Sequence, residues 1–180
     1  MVKLADLTFS EVKTLGDAPA GYQFVSSSDY EKYMADNDSF KVVDGVFTDV
    51  TDTDEYKALK LVKAKEAKLN EAIFKAKDFI ENEACYQFDE NNSIEATDGN
   101  IGKLTAYALG FQTEQYEKVY WTSKEDNIIE LNQEDLIRVL LGLGNIQSNV
   151  WNVQYIDFKN AITNASTIEA VNNIIITYEV

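Results

Sequence analysis

The sequence has no histidine, and this absence removes the side chain that most often acts as a general base or metal ligand near neutral pH. The Ser-His and Cys-His nucleophile pairs are excluded with it. The single cysteine, Cys85, excludes an intrachain disulfide and any CxxC zinc site, and we interpret it as a small buried apolar residue. We therefore predict that the chain is not an enzyme and holds no metal or other cofactor.

Arginine is scarce as well, since Arg138 is the only one, and 31 acidic residues against 16 basic ones give a net charge of −15. Nucleic-acid binding needs a cationic surface, so we predict no nucleic-acid partner. No apolar run approaches the roughly 18 residues of a membrane-spanning helix, and the first residues lack the apolar core of a signal peptide. We predict no membrane insertion and synthesis in a reducing cytoplasm.

What is present is an apolar content of 45% in 180 residues, enough for the core of one ordinary domain. The alternating segments 40–43 and 46–50 predict two strands. Asp44 and Gly45 between them predict a hairpin with a type I′ turn, because Gly tolerates positive φ. We predict that residues 1–52 form a small β-rich unit around this hairpin.

A long helix is predicted over about residues 54–81, and we treat 53–82 as a separate helix or linker. Seven lysines against two glutamates between residues 57 and 77 make it a basic element in an acidic chain. Its lysine face either is solvated while the helix packs on its own domain, or pairs with a partner or with copies of itself. Its apolar residues recur with heptad spacing, and we predict that they form an interface: Leu59, Val62, Leu69 and Ile73.

The remaining residues, 83–180, predict a domain of short antiparallel strands packed on two or three helices, so the whole chain belongs to the α+β class. Segments 118–122 and 127–131 read as strands joined by a polar turn, followed by a helix that runs to about residue 163. Gly142 and Gly144 predict a kink or a close helix approach at this point. A second heptad seam predicts another interface on it: Leu136, Val139, Leu143, Ile146, Val150 and Val153.

Short polar residues before the apolar helical patterns predict where the helices start. The predicted caps are these: Ser28, one of Asp52, Thr53 and Asp54, one of Thr97 and Asp98, Asn132, and Ser166.

Tyr120 and Trp121 are adjacent aromatic residues in the strand 118–122. Large amphipathic rings serve either as core anchors or as binding surfaces. The second alternative would make these two residues a stacking platform for a glycan or a protein partner.

Four stretches from about residue 84 onward resemble a family of unknown function found in bacteriophage and prophage proteins: CYQFDENNSI, TDGNIGKLTAYAL, VYWTSKEDNIIELNQEDL and FKNAITNASTIEAVNNI. The family is often the C-terminal part of tail-fibre or tail-associated polypeptides. The resemblance implies a structural or accessory virion protein of the tail and host-attachment apparatus, made in the bacterial host. Its implied partners are phage tail or fibre proteins and copies of itself, with a trimer as one arrangement. The alternatives are a tail-fibre assembly chaperone and a glycan-binding module.

Overall fold

The structure is a computed structural model that describes residues 1–11 and 16–180, and it has the predicted mixed α and β architecture. Its helices are α1 (Ser27–Ala35), α2 (Asp54–Asn82), α3 (Asp98–Gln112), α4 (Gln133–Asn149), α5 (Tyr155–Asn164) and α6 (Ile168–Asn172). Its strands are β1 (Val2–Lys3), β2 (Thr8–Phe9), β3 (Tyr22–Gln23), β4 (Phe40–Val43), β5 (Val46–Asp49), β6 (Cys85–Asp89), β7 (Asn92–Glu95), β8 (Val119–Thr122) and β9 (Ile128–Leu131).

The described residues form two units, Met1–Lys63 and Ala64–Val180. This division differs from the three predicted segments, because the first turns of α2 belong to the first unit instead of to a separate linker. Lys60 of α2 forms an ion pair with Asp36, at 2.5 Å between Nζ and Oδ1, and Lys63 forms one with Asp38. The basic start of the helix is therefore bound to acids of its own unit.

In the first unit, β1 lies between β2 and β3, and β4 pairs with β5. The predicted hairpin is confirmed, since Asp44 (φ 49°) and Gly45 (φ 78°) both adopt the left-handed conformation of a type I′ turn. The stacked rings of Phe40 and Phe47, 4.6 Å apart, form the centre of a small core with Val2.

Three predicted helix starts are confirmed, and two are wrong by one or two residues. Asn132 begins α4 with a capping box that includes Asp135, and Thr97 and Thr53 cap α3 and α2. The N-cap of α1 is Ser26 instead of Ser28, because the Ser26 hydroxyl accepts from the Asp29 amide. The N-cap of α6 is likewise Thr167 instead of Ser166. Adjacent hydroxyl residues offer alternative caps, and the sequence alone does not choose between them.

The second unit packs two hairpins, β6–β7 and β8–β9, against α2, α3 and α4. The polar turn between β8 and β9 is attached to β7. Lys124 donates its backbone amide to the Ser93 carbonyl at 3.0 Å, and the Glu125 carboxylate accepts from the Ser93 amide at 2.8 Å. These bonds hold the two hairpins together.

The predicted helix after Asn132 extends to Asn164, but it is interrupted by a π-helical turn at Val150–Gln154. The Tyr155 amide donates to the Val150 carbonyl, five residues back instead of four. The additional residue rotates the buried face. That face continues through Tyr155, Phe158 and Ile162 instead of through Val153.

Candidate functional site

The second predicted seam belongs to the core of the second unit. Five of its members are at most 8% exposed: Leu136, Val139, Leu143, Ile146 and Val150. They pack against one another and against buried residues of the hairpins and α2. A partner has no access to them, so the prediction of an interface here is corrected to a core. Val153 is 50% exposed, because the π turn carries it out of that face.

The first predicted seam does not form one continuous exposed stripe. The buried face of α2 in the second unit instead centres on Ala72, Ala76, Phe79 and Ile80. Leu69 packs beside this face, and Leu59 and Ile73 are half-buried. Among the four predicted residues, only Val62 is classed as exposed, with half of its surface open to solvent.

Most lysines of α2 form ion pairs or hydrogen bonds within the chain. Lys68 and Lys75 both pair with Glu71, at 2.9 and 3.1 Å. Lys65 donates to the Thr163 carbonyl and Lys57 to the Asp52 carbonyl. These contacts favour the interpretation in which the helix packs on its own domain.

Tyr120 and Trp121 do not form one platform. Successive residues of a strand point to opposite faces, and the Trp121 ring packs against the core while Tyr120 is 59% exposed. The Lys118 ammonium lies 5.7 Å from the centre of the Tyr120 ring and also pairs with Glu130. Of the two rings, Tyr120 is the more exposed.

The second unit has an open groove of about 830 Å³ between the segment that follows α3 and the first turns of α4. We call it the α3–α4 groove. Its lining combines aromatic and aliphatic side chains with carboxylates and amides: Phe111, Glu114, Tyr116, Glu117, Asn132, Gln133, Glu134 and Ile137.

The aromatic wall of the groove depends on a glycine. A Cβ added to Gly110 would lie 2.2 Å from the Tyr116 ring, so only glycine lets this ring lie against α3. Tyr116 then makes edge contacts with Phe111 and Tyr107, at centroid distances of 6.3 and 5.9 Å. Tyr107 in turn makes an edge contact with Trp121, with ring centroids 6.4 Å apart. The exposed Tyr116 is thus anchored in an aromatic cluster that extends under β8.

The turn that carries Tyr116 is held by backbone bonds. The Gln115 amide donates to the Gly110 carbonyl at 2.9 Å, and the Glu114 amide to the Phe111 carbonyl at 3.1 Å. Glu114 occupies the left-handed region, with φ of 57°. On the opposite wall, the Asn132–Asp135 capping box fixes the start of α4. Hydrogen bonds within the chain therefore fix both walls of the groove.

The rim of the groove is acidic. Glu114, Glu117 and Glu134 line it, and none of the three takes part in an ion pair with the described residues. The basic residues nearest to them along the chain have other partners: Lys118 pairs with Glu130 at 2.9 Å, and Arg138 pairs with Asp135 at 3.0 Å. The groove therefore combines an apolar floor with unneutralised negative charge.

No three Cys, Asp or Glu side chains are grouped as a metal site requires in residues 1–11 and 16–180, and the absence of a bound metal stays a prediction. Within the same residues, no helix is both long and apolar enough to cross a lipid bilayer.

The sequence interpretation missed the groove. Its signals are Gly110 in the last turn of an apolar helix and Tyr116 six residues later, and neither indicates a cavity until tertiary contacts bring them together.

Comparison of the chain with protein families, with curated proteins and with solved structures gave no match.

Proposed function

We propose that this chain is a non-enzymatic accessory or structural protein of a bacteriophage tail and host-attachment apparatus, and that it acts through protein–protein contacts at the α3–α4 groove. The tail assignment rests on the resemblance of residues 84–180 to phage tail-associated domains. The groove supports a contact role, because an apolar surface meets carboxylates without ion pairs there.

Exposed apolar side chains at the groove are the observation that carries this proposal. Tyr116 is 41% and Ile137 49% exposed, and Leu141, one helical turn further along α4, is 64% exposed. Partly exposed aromatic and aliphatic residues beside a pocket are typical anchors of protein interfaces. The partner in this proposal is a tail or fibre protein, and copies of the chain assemble with it in the virion.

Mass spectrometry of purified particles of the encoding phage tests the proposal. We expect the chain to be present in particles at a fixed ratio to tail proteins. Ile137→Ser is expected to reduce its incorporation. The matched control Ile128→Ser, at a residue that is 75% exposed on the β8–β9 hairpin, is expected to leave incorporation unchanged. Absence from particles, with no association with tail or fibre proteins during assembly, would refute the proposal. Association during assembly alone would replace it with the chaperone role.

A further inference from the structure

We propose that the α3–α4 groove binds a segment of another protein that presents a lysine or arginine side chain next to an apolar one. This inference rests on the proposed contact role of the groove and adds the chemistry of the partner.

The apolar residues of the groove explain why the bound segment would present an apolar side chain. Phe111 is 7% exposed and closes the base, while Tyr116 and Ile137 present their side chains to solvent on either wall. The apolar surface continues to Leu141 along α4. Covering such side chains removes apolar area from water, at roughly 25 cal/mol per Å².

The acidic rim of the groove explains why the bound segment would present a lysine or arginine side chain. Glu114, Glu117 and Glu134 border the floor without an internal cation. Exposed carboxylates of the described residues do pair with lysines that lie within reach, as Asp49 does with Lys32 and Glu71 with Lys68 and Lys75. A basic side chain that enters the groove would supply the missing counter-charge, and the net charge of −15 would accelerate its approach.

Charge disfavours the other occupants. Phosphates, nucleic acids and acidic glycans would meet three carboxylates at the rim. A second copy of this chain carries the same net negative charge, and its lysine-rich helix α2 already holds Lys60, Lys63 and Lys68 in internal ion pairs. The complement of this surface is therefore a basic segment on a different protein.

Binding of labelled synthetic peptides to the full-length protein, followed by fluorescence anisotropy at low and high salt, tests this inference. The probe is a peptide that alternates leucine and lysine, and the comparison peptide has glutamine in place of lysine. We expect the lysine peptide to bind more tightly than its glutamine counterpart, and this preference to shrink in 1 M salt, where the screening length is about 3 Å.

Variants locate the binding. The double variant Glu117→Gln, Glu134→Gln is expected to bind the lysine peptide with an affinity about tenfold lower, since two exposed charge contacts are removed. The matched double variant Glu90→Gln with Glu169→Gln removes two exposed carboxylates elsewhere in the unit and is expected to leave affinity unchanged. Gly110→Ala is expected to lower the affinity for both peptides, because the added Cβ displaces the Tyr116 ring. Gly102→Ala is the control, since a Cβ there meets no atom within 4 Å.

Equal affinity for the two peptides, or equal loss in the two double variants, would overturn the inference. These outcomes are separate from failure of the proposed function. A tail partner that docks a neutral segment in the groove would refute the charge assignment alone. A groove that prefers the lysine peptide in a chain that never associates with tail proteins would refute the phage role alone.

Discussion

The Tyr86 ring of β6 lies directly against Gly142 of α4, so closely that a Cβ on this glycine would be 2.2 Å from ring atom Cδ2. Strand and helix therefore meet at a point where no side chain fits. A close helix approach is one alternative predicted for this part of the helix, and the residue that approaches Gly142 belongs to a strand instead. At Gly144 the space around a Cβ is open.

The two glycines predict opposite effects of alanine in one helix. Gly144→Ala is expected to stabilise the chain by about 1 kcal/mol, because alanine favours the helical backbone. Gly142→Ala gains the same propensity but forces the partly buried Tyr86 ring to move, at a cost of about 1–3 kcal/mol. Urea unfolding of both variants measures the difference. Equal stabilisation by the two substitutions would contradict the close contact.

The Glu125 carboxylate connects the two hairpins, and we expect its contribution to the stability of the fold to be lost in acid. The Ser93 hydroxyl and amide donate to it at 2.5 and 2.8 Å, and these bonds lower the pKa of Glu125 from 4.5 to about 2. A lowered pKa stabilises the fold above the unfolded-state pKa, and this contribution is lost as pH falls through the folded-state pKa. Wild type is therefore expected to exceed Glu125→Gln in stability by a constant amount above pH 4.5, and the gap is expected to close towards pH 2.

Thermal unfolding between pH 2 and 7 measures this gap. Asp126→Asn is the matched control, because it removes a neighbouring exposed carboxylate whose side chain has no hydrogen bond among the described contacts. A gap for Glu125→Gln that does not change with pH would show that the charge of Glu125 is not the stabilising feature.

The side chain of Gln154, in the π turn, binds the backbone of Glu179 and is expected to protect the Glu179 amide from exchange. Its side-chain amide donates to the Glu179 carbonyl at 2.7 Å and accepts from the Glu179 amide at 3.1 Å. Gln154→Ala removes both bonds, so exchange of the Glu179 amide proton is expected to accelerate by about tenfold. Hydrogen exchange followed by NMR measures this rate, and Asn152→Ala is the control, since its side chain bonds only to Ser148. An unchanged rate would contradict the role of Gln154.

Local chemistry made several elements predictable from the sequence. Asp44-Gly45 confines the backbone to a type I′ turn, and Asn132 with Asp135 satisfies the first amides of α4. Both depend on residues within four positions of each other, so no tertiary information is needed. The strands β1 and β2, two residues each, leave too little alternation to be recognised.

The burial of the helical seams and the position of the groove could not be predicted in the same way. Heptad spacing continues past Val150, but one additional residue in the π turn takes Val153 out of the buried face, and periodicity does not register that insertion. The groove exists because Tyr116 lies against Gly110, a contact that depends on the folded chain. Sequence spacing identified the apolar residues without showing whether this chain or a partner covers them.

Photo-crosslinking from position 137 in infected cells tests the central claim most directly. A benzophenone amino acid at Ile137 is expected to form adducts with a tail or fibre protein, and the same group at Ile128, on the β8–β9 hairpin, is expected to form few. Equal adducts at the two positions, or none at position 137, would contradict a contact role for the α3–α4 groove.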